Sequence, residues 1–138
     1  MPCRDHAAQV CARQQQLEEL GVQVWIVSFT EREEWAHRWV QETCTAFPFL
    51  LDPERSLYKS LGLKRSLLRS WNLRTLWRYA RYVFSGRGLK PIQGDSAQLG
   101  GDFIFDEQAV LRYAHRSEDP LDRPPIEELL TVLRDLSD

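Results

Sequence analysis

Cys3 stands at the head of a helix-like stretch, with Arg4 beside it and His6 about one turn on. A thiol at a helix N-terminus faces unpaired backbone amides. These favour the thiolate, as does a neighbouring arginine. Such a thiolate attacks the O–O bond of a peroxide and becomes a sulfenic acid, which a second thiol resolves. His6 is placed to tune the local charge. The competing reading leaves Cys3 as an idle thiol in a frayed terminus. Cys11 falls on the apolar side of the same helix and reads as a small buried hydrophobe. Cys44 ends the next helix and reads as structural filler. It could resolve a sulfenic acid on Cys3 only if a loop brought it near. No metal site is expected: the three cysteines lack paired ligand spacing, and His6, His37 and His115 do not complete one.

The rest of the chain must position that thiol. Its 138 residues suit a single domain spanning 1–138. Hydrophobic residues make up 43% and charged residues 28%, a mix that folds rather than stays disordered. No apolar run approaches the ~18 residues of a membrane-spanning helix. Met1 to Asp5 has no basic region leading into an apolar stretch, so it does not read as a secretory signal. A net charge of −2 argues against nucleic acid as a partner. An odd count of three cysteines does not make a disulfide framework and points to a reducing, cytoplasmic setting.

Hydrophobic periodicity predicts alternating helices and strands. Residues 3 to about 20 read as one helix, stopped by Gly21, and 22–29 as a strand apolar on both faces and buried between layers. Thr30 and Glu33 form a capping box for a helix whose buried stripe is Trp35, Trp39 and Val40. Residues 47–51 read as a short strand, and Pro48 argues for an edge or for the strand's first residues only. Asp52-Pro53 opens a short helix that Gly62 stops. Residues 102–106 and 109–115 read as a hairpin with Glu107-Gln108 as a two-residue turn, which Asp106 starts. A helix follows, lined by Ile126, Leu129, Leu130, Leu133 and Leu136.

Residues 64–90 differ from the remainder. They hold eight of the 18 basic residues and none of the 20 acids, leaving ten bases against 20 acids elsewhere. Leu, Trp and Phe lie between the charges near helical spacing, which predicts a basic insert of one or two amphipathic helices, then a Gly-rich loop from Ser85 to Gly101. Such a segment suits anionic lipid, or a basic mouth for an acidic substrate. The plainer reading packs its Trp and Leu on the core and leaves its arginines solvated or paired with acids.

Four stretches together resemble the peroxiredoxin-like branch of the alkyl hydroperoxide reductase/thiol-specific antioxidant (AhpC/TSA) family, in the thioredoxin-like superfamily. Pro2-Cys3-Arg4 through Gln9 is similar to the tail of a Cys-x-x-Cys-Arg helix start. Phe47 to Pro53, with Leu57-Tyr58 and Leu61-Gly62-Leu63, resembles that branch's strand and short helix. Gln98 to Asp106 resembles its Gly-Gly loop running into the hairpin, and Tyr113 to Pro124 its hairpin exit.

The resemblance implies a thioredoxin-like three-layer α/β sandwich with a mixed sheet. It also implies that the first, central strand and the first motif Cys are missing, as in a truncated or misplaced start. It implies Cys3 and Arg4 as catalytic residues. Gly100 and Gly101 would shape the substrate site, where thioredoxins carry a cis-proline. The implied activity is reduction of a small hydroperoxide, or disulfide exchange, with thioredoxin or glutathione as electron donor and no cofactor. A chain short of its central strand would expose a sheet edge and form homo-oligomers or borrow a strand. The alternative is a non-catalytic thioredoxin-fold interaction module, docking a partner or an anionic membrane through 64–90.

Overall fold

The computed structural model describes residues 2–86 and 95–138. Arg87, Gly88 and Lys90, and with them part of the expected Gly-rich loop, lie outside the described residues.

The leading helix is interrupted. α1 runs over Pro2–Cys11 and α2 over Gln14–Glu19. The break falls where the Arg13 amide bonds the Val10 carbonyl, three residues back, instead of continuing the four-residue ladder. Cys11 sits at this break and is joined to Cys44 by a disulfide. That bond corrects the reading of both cysteines as packing residues: spacing along the chain does not reveal a pair 33 residues apart. The stop at Gly21 holds. The Gly21 amide bonds Glu18 and the Val22 amide bonds Leu17, with Gly21 at φ 69°. This is the paired 5→2 and 6→1 closure that needs a left-handed residue. Gly62 repeats it, with Gly62 bonded to Lys59 and Leu63 to Tyr58.

β1 covers Ile26–Ser28 and pairs in parallel with β2, Phe49–Leu51. Both are shorter than expected, and β1 is half-buried rather than enclosed. Residues 22–25 join no ladder, and Trp25 is exposed. Between the strands lies α3, Glu33–Thr43. Its expected capping box does not form. The Thr30 hydroxyl accepts from the Arg32 amide at 3.3 Å, and the helix begins at Glu33 without a side-chain cap. Trp39 packs on Phe49 with ring centroids 5.5 Å apart, fixing α3 on the parallel pair.

Asp52 caps α4, Ser56–Ser60, from four residues upstream. Its carboxylate accepts the amides of Ser56, Leu57 and Tyr58 at 2.8, 2.9 and 3.3 Å. The basic segment forms α5, Leu67–Ser70, and α6, Leu73–Phe84, capped by the side chains of Ser66 and Asn72. β3, Gly101–Phe105, and β4, Leu111–Arg116, make the expected antiparallel hairpin. The turn is longer than two residues, because Asp106 accepts the amides of Gln108 and Val110 at 2.9 Å each and Ala109 takes a left-handed φ of 59°. Asp106 thus builds the turn, as expected. α7, Ile126–Ser137, closes the chain and buries Leu129 and Leu130.

The two strand pairs are separate two-stranded sheets. An open cleft of about 1480 Å³ lies between them, with Ile26 and Val27 of β1 and Phe103 and Ile104 of β3 among its walls. The molecule is an α/β protein with one parallel and one antiparallel pair, not a continuous mixed sheet among the described residues.

Candidate thiol site

Cys3 is an exposed free thiol near the start of α1. Its nearest cation is remote in sequence: Nη2 of Arg123 donates to the Cys3 sulfur at 3.1 Å. Arg123 lies between β4 and α7. Within that loop the Asp122 carboxylate accepts the Glu118 amide at 2.7 Å and hydrogen-bonds His115 at 3.0 Å. The Ser117 amide bonds the Gly100 carbonyl, so the loop is tied to the Gly-Gly turn. Two prolines, Pro124 and Pro125, then restrict the backbone before α7 starts.

The same guanidinium is held from the sheet side. Nη1 of Arg123 donates to Oδ2 of Asp102 on β3 at 3.4 Å. The other carboxylate oxygen of Asp102 is hydrogen-bonded to Nε2 of buried His6, at 2.8 Å. A line of contacts therefore runs from His6 through Asp102 and Arg123 to the sulfur. Burial alone would push the Asp102 carboxyl up, but the His6 hydrogen bond, the His6 charge and Arg123 hold it below the ordinary carboxylate range. Burial disfavours the charged form of Arg123. Its hydrogen bonds and charge interactions with Cys3 and Asp102 outweigh that and raise its pKa. Tyr58, whose hydroxyl donates to the Val27 carbonyl at 3.0 Å, is pushed up to about 12, first by burial and then by the charge of Cys3. Tyr79 of α6 is raised for the same two reasons.

Gly100 meets the site from below. A β-carbon there would stand 2.7 Å from Nη2 of Arg123. At Gly101 it would stand 2.5 Å from the His115 carbonyl oxygen. Cys3 and Gly100 thus both adjoin one guanidinium. Arg4 does not join them: its guanidinium pairs with Glu42 at the end of α3. Arg123 and Asp102 were not legible as site residues. No spacing rule connects positions 3, 102 and 123, and Asp102 reads only as a residue flanking a strand. The Arg123-Pro124-Pro125 run was the one available hint, since prolines rigidify a loop that must hold a side chain in place.

The Arg123 guanidinium therefore meets the Cys3 thiol beside the Gly-Gly turn, within an α/β frame. The profile of the AhpC/TSA antioxidant enzyme family matches residues 10–119. The chain belongs to that family and is a peroxiredoxin-like member of it. Asp102, Gly100 and Gly101 lie within the match, whereas Cys3, His6 and Arg123 lie outside it. The chain is 35% identical over 97 residues to peroxiredoxin-like 2C of Mus musculus, covering 60% of this chain and 41% of the relative. The figures for the Homo sapiens protein are the same. For the Bos taurus protein they are 33% over 97 residues, 60% and 40%. The chain therefore spans about two fifths of the length of these curated relatives. No solved structure matches it. The small sheets and packed helices are consistent with a thioredoxin-like α/β fold. Family membership favours a redoxin-type role over the non-catalytic module. Among the described residues, no helix is long and apolar enough to cross a membrane.

Proposed function

We propose that the chain is a thiol-dependent redox protein in which Cys3 is the reacting group. The observation that carries this reading is the Arg123 hydrogen bond to the Cys3 sulfur, with Arg123 itself braced by Asp102. A guanidinium donating to sulfur stabilises negative charge there and leaves an exposed face for attack. The thiolate attacks the nearer oxygen of a small hydroperoxide and the O–O bond breaks. Sulfur is oxidised to the sulfenic acid, and the departing alkoxide takes a proton and leaves as an alcohol, or as water from hydrogen peroxide. A thiol of the glutathione or thioredoxin class condenses with the sulfenic acid, releasing water. A second thiol then reduces the mixed disulfide and restores Cys3. In this reading Arg123 takes the electrostatic role expected of Arg4, which instead holds α1 against α3. Gly100 keeps the guanidinium face accessible, and no cofactor is required.

The same reading treats the two strand pairs as the flanks of one thioredoxin-like mixed sheet in a three-layer sandwich. The cleft would stand where that fold's first, central strand runs. Its support is that β1 and β3 both turn toward the same apolar opening.

The test is exposure to low hydrogen peroxide with a sulfenic-acid trap, followed by mass mapping. Trapping at Cys3 well above the rate of a small free thiol, lost in Cys3→Ser, is the expected result. Labelling no faster than a free thiol defeats the proposal.

A further inference from the structure

We propose that the α5–α6 face docks on an anionic lipid bilayer. α6 is turned inside out relative to an ordinary surface helix. Thr75 is only 1% exposed, and with half-buried Tyr79 and Tyr82 it faces the body. The Tyr82 hydroxyl donates to Asp5 of α1 at 3.2 Å, which fixes that orientation. The opposite side carries the large apolar residues. Phe84 is 90% exposed and Leu73 83%, with Leu76, Trp77 and Val83 on the same face. Leu68 of α5 is 88% exposed as well. A soluble domain normally buries such a stripe, so a continuous exposed one marks a surface that something covers.

The charge on the page selects the occupant. Arg74, Arg78 and Arg81 recur at i, i+4 and i+7 and so form one edge of the apolar stripe. Arg81 lies over the Trp77 ring at 5.1 Å and Arg78 over Tyr82 at 5.9 Å, and neither has a carboxylate partner among the described residues. Arg74 approaches Asp119 only to 3.7 Å. No acid occurs from 64 to 90, and among the described residues the acids from elsewhere that pair with the segment reach Lys64, Arg65, Arg69 and Arg74 but not Arg78 or Arg81. A helix with Leu, Trp and Phe on one face, and with Arg78 and Arg81 along its border without carboxylate partners among the described residues, lies in the plane of a bilayer. Its apolar side enters the acyl boundary, and its arginine stems reach out to anionic headgroups. At 12 residues, α6 offers a footprint about 18 Å long.

The test is co-sedimentation of the chain with phosphatidylcholine vesicles, and with vesicles in which roughly a third of the lipid is phosphatidylserine. Binding to the anionic vesicles alone is expected, with release at ~0.5 M salt. Arg78→Gln with Arg81→Gln should weaken partitioning about ten- to thirty-fold. Leu73→Ser with Phe84→Ser should abolish it while leaving the circular dichroism spectrum unchanged, because both side chains point outward. If either variant fails to fold, salt release of the unaltered chain decides. Three results overturn the proposal. One is no preference for anionic over neutral vesicles. Another is binding insensitive to both variants and to salt. The third is concentration-dependent self-association, or capture by a protein partner, that covers this face in place of lipid.

Discussion

Arg123 donates a hydrogen bond of 3.1 Å to the sulfur of Cys3, although 120 residues separate them. The contact joins the first helix of the chain to the loop before the last one. It places a permanent cation at the only free thiol among the described residues. In Arg123→Gln the cation is lost, and a hydrogen bond to a charged group contributes roughly 1.5–3 kcal/mol. Alkylation of Cys3 by iodoacetamide at neutral pH is expected to slow about ten-fold or more. Arg4→Gln, which breaks the pair with Glu42, should change the rate less. Equal effects of the two variants would show that Arg123 has no special part.

A methyl group at residue 100 would stand 2.7 Å from the Arg123 guanidinium, at the end of a side chain that can shift. At residue 101 it would strike the His115 carbonyl, which is backbone within the hairpin. Gly100→Ala should therefore slow Cys3 alkylation with little loss of stability. Gly101→Ala should lower the melting temperature, by an amount set by the ~1–3 kcal/mol of overpacking. Thermal melts and alkylation rates on both variants separate the two effects.

The carboxyl of Asp102 titrates below its ordinary value of about 3.9 in the folded protein. A depressed folded-state value adds stability that is fully present above the unfolded value and lost as pH falls through the folded one. Asp102→Asn should therefore be destabilising at neutral pH, and the gap between it and the unaltered chain should close below about pH 4. Denaturant titrations across pH 3 to 7 would read this. A gap that is constant with pH would mean that the charge of Asp102 contributes nothing.

The Cys11–Cys44 bond closes a loop across a sequence separation of 33. A loop of that length corresponds to roughly 3–4 kcal/mol in the chain-entropy picture. The unfolded, unreduced protein should show one reactive thiol and the reduced protein three. Reductant should lower the melting temperature, and Cys11→Ser with Cys44→Ser should remove that sensitivity. Three reactive thiols before reduction would show that the bond does not form.

Sequence reading succeeded where the signal is local. Gly21 and Gly62 end their helices because a left-handed residue is needed at one position, and glycine supplies it whatever packs nearby. Asp106 was legible for a similar reason, since its carboxylate bonds amides two and four residues ahead. Thr30 misled because a hydroxyl can close a two-residue turn as readily as a helix cap, and here it accepts from Arg32 two residues on. Strand length failed at residues 22–25, where Val22, Val24 and Trp25 are apolar but no strand pairs alongside. The disulfide and the Arg123–Cys3 contact were invisible, because both are decided by how helices and loops meet in space. Apolar residues in α6 were legible as a stripe, but periodicity alone cannot say which side of a helix faces inward.

Among the described residues no strand ladder bridges the opening between the parallel pair and the hairpin, so side chains carry part of the cohesion across it. α1 supplies several of them. On one flank it is covalently fastened to α3 through Cys11, and on the other it grips β3 and the Arg123 loop through His6 and Cys3. The helix that presents the sulfur is therefore also the clasp between the two halves of the molecule, and one of its fastenings is the sulfur atom itself.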